Sequence, residues 1–226
     1  MQASTPASHG TGAGTTALVY AAGHRPSAAL ILGHGAGAGQ HSTFMVDFAQ
    51  ALSELDLDVI TFNFLYTEQK RKLPDKSPVL EDCYRAVIEA VRAHLESARR
   101  ALFIGGKSMG GRIATQVAAA DATLPVAGLV LLGYPLHPPG QPQKLRDAHL
   151  PAVGRPMLFV QGSRDAFGTP DELAPIVVRL APAPAVYVIA NADHSFKLSR
   201  KDPVRQADIY ADIQRVVARW ITTGGT

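Results

Sequence analysis

The stretch Ala101-Leu-Phe-Ile-Gly-Gly-Lys-Ser-Met-Gly-Gly-Arg-Ile-Ala-Thr-Gln-Val-Ala-Ala-Ala120 decides how the chain is read. Ala101 to Ile104 is apolar without interruption, as in a short buried strand. The run breaks on glycine and, after Met109, reads as a helix. At its centre, Gly106-Lys107-Ser108-Met109-Gly110 fits G-x-S-x-G, a strained strand-to-helix turn that lifts a serine hydroxyl above a sheet. Such a turn brings backbone segments too close together for a Cβ at Gly106 or Gly110. The N–H groups of the following helix then aim at charge developing on the serine. Gly106-Lys107-Ser108 also resembles the end of a phosphate-binding P-loop. That motif wants glycine where Ala101 stands, and a loop where the strand runs, so an NTPase is excluded.

Outward from this stretch, apolar runs alternate with helical spacing. Ala28–Leu32, Asp58–Phe64, Val126–Leu132, Pro156–Gln161 and Val186–Ile189 read as strands. Ser42–Leu55, Leu80–Leu95, Pro170–Leu180 and Asp202–Ile221 read as helices, the second with Ser77-Pro78 as its start. Ile209, Ile213, Val216, Val217 and Trp220 share one face of the last helix. Tyr66–Pro78 reads as a polar, proline-bearing loop, and Leu145–Leu150 as one or two helical turns. The pattern predicts an α/β fold: a mostly parallel sheet of about seven strands, with helices on both faces. Residues 1–16 are expected to form a poorly ordered tail, and 17–226 a single domain.

Function in such sheets sits outside the carboxyl ends of the strands. Four features fall there: the run Gly33-His-Gly-Ala-Gly-Ala-Gly39, Ser108, Asp165 and His194. A serine needs a base within hydrogen-bond reach, and the base needs an orienting partner. His194, on the loop after the last strand, is the candidate base. Asp165 is the candidate orienter, because no Asp or Glu lies between Leu129 and Arg146, and Asp193 adjoins His194 too closely to bond it well. The order Ser108…Asp165…His194 is the chain order of α/β-hydrolases. The glycine-rich run is placed to supply the second donor of an oxyanion hole. Met109 N–H is the first donor and Ala36 the second, with Gly37 as a near alternative and Gly35 beside it. A dinucleotide reading of the same run lacks the acid it needs at the end of the next strand, Thr61-Phe-Asn-Phe64.

Four segments together resemble the α/β-hydrolase superfamily, in particular its small dienelactone-hydrolase-like branch, which includes testis-expressed and NSL-complex relatives. They are Leu32-Gly-His-Gly-Ala-Gly-Ala38, Gly105-Gly-Lys-Ser-Met-Gly-Gly-Arg112, Gly133-Tyr-Pro-Leu-His-Pro-Pro-Gly140 and Phe159-Val-Gln-Gly-Ser-Arg-Asp165. The resemblance runs from about Ala28 to Trp220. True dienelactone hydrolases carry cysteine where Ser108 stands, so the resemblance implies ester rather than dienelactone substrates. Gly133 to Arg155 is too short for a separate lid domain, which implies an open site for small acyl groups. Tyr134 and His137, with Gly35 and Gly37, are expected to bind substrate; Tyr66, Phe167 and Phe196 are further candidate walls. Lys107 is expected to be exposed.

The expected activity is a serine carboxylesterase working through an acyl-enzyme, with thioesters and amides as alternative substrates. Some relatives are subunits of complexes, so a non-catalytic interaction protein is the competing class. The reading calls for no cofactor and no metal. The chain has 226 residues, a formal charge of +3, 46% hydrophobic and 18% charged residues, an ordinary globular balance. Its densest basic cluster, Glu68-Gln-Lys-Arg-Lys72, also holds an acid and reads as a surface loop, not a nucleic-acid site. No apolar run approaches a membrane span, no basic and apolar leader opens the chain, and Cys83 alone permits no internal disulfide. These features point to a cytoplasmic monomer or homodimer.

Overall fold

A computed structural model describes residues 7–10, 14–199 and 204–225. The strands are β1 (Ala7–Gly10), β2 (Thr16–Tyr20), β3 (Ala28–Gly33), β4 (Leu57–Phe62), β5 (Leu102–Lys107), β6 (Gly128–Leu132), β7 (Met157–Gly162) and β8 (Ala185–Ile189). They form one sheet in the order β1-β2-β4-β3-β5-β6-β7-β8. From β4 to β8 every neighbouring pair is parallel. β2 runs antiparallel to both β4 and β1.

The count is eight strands, and the extra one comes from the expected tail. Ala7–Gly10 pairs with β2 in the register Ala7↔Val19 to Gly10↔Thr16. This strand is invisible to a pattern reading because Ala-Ser-His-Gly shows no apolar alternation, and its pairing is a backbone matter. Residues 1–6 and 11–13 of the expected tail lie outside the described residues.

Strands β3 and β6 are buried on both faces because alternate residues feed two cores. Ile31, Leu129 and Leu131 join one cluster, while Leu30, Leu32, Val130 and Leu132 join the other. The first core lies under helices α3 (Ser77–His94), α5 (Met109–Ala120) and α6 (Pro170–Val177). The second lies under α1 (Thr43–Ser53) and α7 (Gln206–Thr222). The apolar face expected of α7 is present: Ile213, Val217 and Trp220 are buried, with Ile209 and Val216 packed beside them. Cys83 is buried in the first core, where desolvation pushes its thiol up to about 11.

Two short helices escape the pattern: α2 (Leu65–Glu68), overlapping the start of the expected loop, and α4 (Glu96–Arg100). The helical turn expected over Leu145–Leu150 is instead a 3-10 turn at Leu150–Ala152. Among the described residues no helix is long and apolar enough to cross a membrane.

The strand order positions the site. The chain leaves β3 towards β4 on one side, and β5 lies on the other. The connections therefore diverge above β3 and β5, opening a crevice at their carboxyl ends. The glycine-rich loop follows β3, and Ser108 follows β5.

Candidate active site

Ser108 stands between β5 and α5 with φ 51° and ψ −115°, a sparsely populated region for a residue with a side chain. The turn is held from below. Its amide donates to Leu132 O at 3.0 Å, and its carbonyl accepts the first helical bond, from Arg112 N at 3.1 Å. The glycines permit close approach to β3. A Cβ on Gly106 would lie 2.2 Å from Gly33 O, and one on Gly110 would lie 2.1 Å from the same oxygen. As the first residue of α5, Met109 carries one of the N–H groups that no helical carbonyl can reach.

The three residues singled out in the sequence meet above the sheet. His194 Nε2 lies 2.8 Å from Ser108 Oγ, and His194 Nδ1 lies 2.8 Å from Asp165 Oδ2. A carboxylate can only accept, so the ring proton belongs on Nδ1, and Nε2 presents its lone pair to the serine O–H. Asp165 is 1% exposed. Gln161 Nε2 donates to its Oδ2 at 2.8 Å, and Phe167 N to its Oδ1 at 2.8 Å. The Phe167 ring packs on the imidazole, with centroids 4.2 Å apart. Asp193, set aside as orienter, folds its own loop: its Oδ1 accepts from Ser195 N and Lys197 N.

His34 is fully buried at the start of the glycine-rich loop. Its Nε2 accepts from Phe64 N at 3.1 Å, which places the proton on Nδ1, the atom 2.8 Å from Gly35 O. Desolvation lowers its pKa and keeps the ring neutral. Ala38 N donates to the same Gly35 oxygen at 3.2 Å. In a planar trans peptide the C=O and the next N–H point in opposite directions. Pinning Gly35 O inwards therefore turns Ala36 N–H outwards.

Gly35, Ala36, Lys107, Ser108, Phe167 and His194 line a cleft of about 530 Å3, completed by α1 residues such as Phe44 and by Tyr210 of α7. Five of the expected substrate contacts lie elsewhere. Tyr134 is buried, its hydroxyl donating to Arg146 O at 2.6 Å. His137 is buried and bonded through Nδ1 to Pro138 O at 2.8 Å. Both side chains serve the insert after β6 and not the cleft. Tyr66 and Phe196 are core residues. Gly37, with φ 74°, lines a neighbouring cavity instead.

Lys107 also departs from expectation. It is half-buried, its ammonium donating to His194 O at 2.5 Å and lying 5.1 Å from the Phe196 ring centroid. Burial lowers its pKa to about 8, against the pull of Asp165 and Asp193.

Two supporting residues had no motif to announce them. Gln161, at the end of β7, ties Asp165 to Gly168 O and to the Tyr134 backbone. Tyr84, from α3, inserts its hydroxyl between β3 and β5. It donates to Gly105 O at 2.7 Å and accepts from Gly105 N at 3.0 Å, just before the Ser108 turn.

A family profile for the alpha/beta hydrolase domain matches residues 26–222. The chain belongs to the α/β-hydrolase family. Solved structures share the fold. An alpha-beta serine hydrolase homologue from Coxiella burnetii aligns over 97% of this chain and 98% of its own, with a TM-score of 0.74 and 19% identity. A dienelactone hydrolase from Anabaena variabilis aligns over 97% and 99%, with a TM-score of 0.74 and 17% identity. A serine hydrolase without a lid from Xanthomonas campestris aligns over 91% and 89%, with a TM-score of 0.66 and 22% identity. Within this α/β-hydrolase, Gly37, Tyr66, Tyr134, His137 and Phe196 are the residues that depart from the expected cleft lining.

Proposed function

We propose that this α/β-hydrolase is a serine esterase that cleaves small carboxylic esters through an acyl-enzyme. The observation that carries the reading is the unbroken hydrogen-bonded chain from Ser108 Oγ through His194 to the buried Asp165, at 2.8 Å in each link. Its position at the switch point of a hydrolase-family sheet supports it, as do the serine hydrolase and esterase-domain folds it resembles.

In the first half-reaction Ser108 Oγ attacks the ester carbonyl as its proton passes to His194 Nε2. Asp165, held by Gln161 and Phe167 N–H, stabilises the imidazolium that forms. The carbonyl oxygen becomes an oxyanion met by Met109 N–H and the outward Ala36 N–H. The C–O bond to the alcohol then breaks, and His194 returns the proton to the departing oxygen. In the second half-reaction His194 deprotonates a water that attacks the acyl carbon. Ser108 recovers its proton, and the acid leaves.

The interval from β6 to β7 holds one 3-10 turn and no lid domain. The cleft is therefore open, which suits short or flexible acyl groups. Hydrolysis of short p-nitrophenyl esters by the wild type, set beside Ser108→Ala, tests the reading. Turnover by the wild type that is lost in the variant is the result expected. Equal rates for the two would leave the fold as an interaction scaffold.

A further inference from the structure

The densest basic stretch of the chain, Lys70-Arg71-Lys72, has no part in the chemistry above. It rims a second cavity of about 470 Å3, whose remaining walls are Gly37, Ala38, Tyr66 and Thr67. Ala38 lines this cavity and the Ser108 cleft alike, so the two adjoin. Gly37 and Ala38 directly follow Ala36. A group seated here would lie just past the loop that faces the reacting carbonyl.

The charges of this rim are unequally used. The Arg71 guanidinium pairs with Asp75 at 2.7 Å. The Glu68 carboxylate faces the sheet, where its Oε1 accepts from Thr16 N at 3.1 Å and from Asn63 Nδ2 at 3.3 Å. Lys70 and Lys72 are exposed and have no ion pair among the described residues. The turn that presents them is ordered by Lys70 N to Thr67 O at 2.9 Å and Arg71 N to Tyr66 O at 2.8 Å. On the inner side, the Tyr66 hydroxyl is buried beside Thr67 and Gly37 yet makes no hydrogen bond of proper geometry. Lys107 and Lys197 add positive charge to the adjoining cleft, against one Asp47.

Two unpaired ammoniums beside an unsatisfied hydroxyl match a phosphate monoester, which carries close to two negative charges at neutral pH. We propose that this cavity is a subsite for a phosphate group carried by the substrate whose ester carbonyl sits at Ser108. The proposal rests on the esterase reading above. The phosphate is an anchor; the bond cleaved remains the carboxylic ester, with the proton transfers already described.

The test compares four short phenyl esters: one uncharged, one with a phosphate on the phenol ring, one with a phosphate on the acyl chain and one with a carboxylate in place of the phosphate. At low salt, kcat/KM for one of the two phosphorylated esters is expected to exceed that of the uncharged ester by about tenfold. That ratio is expected to fall towards one in the Lys70→Gln/Lys72→Gln double variant, and with rising ionic strength in the wild type. Ser108-dependent turnover of the uncharged ester with no phosphate preference overturns the subsite alone. A preference that survives the double variant also overturns it. A matched carboxylate ester preferred over both phosphates overturns the assignment to phosphate. No Ser108-dependent turnover of any ester overturns the esterase reading beneath it.

Discussion

The ammonium of Lys107 donates to the main-chain carbonyl of His194, 87 residues further along the chain, at 2.5 Å. The residue before Ser108 thus holds the loop that carries His194, and it does so while half-buried. Its pKa of about 8 lies below the ordinary 10.5 because desolvation disfavours the charged form.

Lys107 therefore sets an alkaline dependence. Below pH 8 both folded and unfolded chains keep the proton, and the cost of burying the charge is fully present. Between about 8 and 10.5 the unfolded chain binds the extra proton, so this residue's contribution to stability rises with pH. Over the same range the charge-assisted bond to His194 O weakens, and kcat is expected to decline. Urea midpoints and kcat measured from pH 7 to 10 check both trends. Lys107→Met should flatten the stability difference and remove the alkaline fall in kcat. A wild-type profile superimposable on that of the variant would remove Lys107 from this role.

His34 makes the Ala36 N–H face outwards without touching substrate. His34→Ala leaves the Gly35 carbonyl held by Ala38 N–H alone and Phe64 N–H buried without its acceptor. A stability loss of about 1–3 kcal/mol is expected from the orphaned donor. If the Gly35 peptide turns, kcat falls by about 3 kcal/mol in activation free energy, with KM little changed. In the wild type, the depressed pKa of His34 adds acid sensitivity. As pH drops below the ordinary 6.5, the unfolded chain takes up a proton that the folded ring refuses, and stability is lost. Steady-state kinetics and acid denaturation of wild type and variant measure these effects.

Gly110 and Gly37 separate contact from conformation. Gly110→Ala drives a methyl to 2.1 Å from Gly33 O, a backbone atom that cannot swing aside. A loss of about 3 kcal/mol or more is expected, with disruption of the Ser108 turn. Gly37→Ala meets nothing within 4 Å but must hold φ 74°, costing about 1–2 kcal/mol. Denaturant titrations should rank them in that order.

Gln161 carries no chemistry but fixes where Asp165 points. Gln161→Leu leaves the Tyr134 N–H and O and the Gly168 carbonyl without their partner. A drop in kcat of about 10- to 100-fold is expected from misplacing the carboxylate, with KM nearly unchanged. A kcat equal to wild type would show that Phe167 N–H alone orients Asp165.

The parts of this molecule legible in the sequence are those encoded locally. Ile31 and Leu131 sit in uninterrupted apolar runs, and the glycines around Ser108 announce a turn no other residue fits. Ser108, Asp165 and His194 could be chosen because each follows a strand, and strand ends share one edge of a parallel sheet. What stayed hidden depends on partners distant in the chain. Lys107 reads as a solvated helix-start residue until His194 O and the Phe196 ring enclose it. Tyr134 and His137 are in the right loop, but that loop folds onto Arg146 and Pro138 and buries both. Strand β1 has no apolar signature because β2 supplies its pairing. Gln161 looks like any polar strand-end residue until Asp165 and Gly168 come beside it.

The most direct measurement is mass spectrometry after exposure to a small serine-reactive fluorophosphonate. The account predicts one phosphonyl group per chain, located on the peptide that contains Ser108, and no such adduct in Ser108→Ala or in His194→Ala. An unlabelled wild-type chain, or an adduct formed equally well in Ser108→Ala, would contradict it.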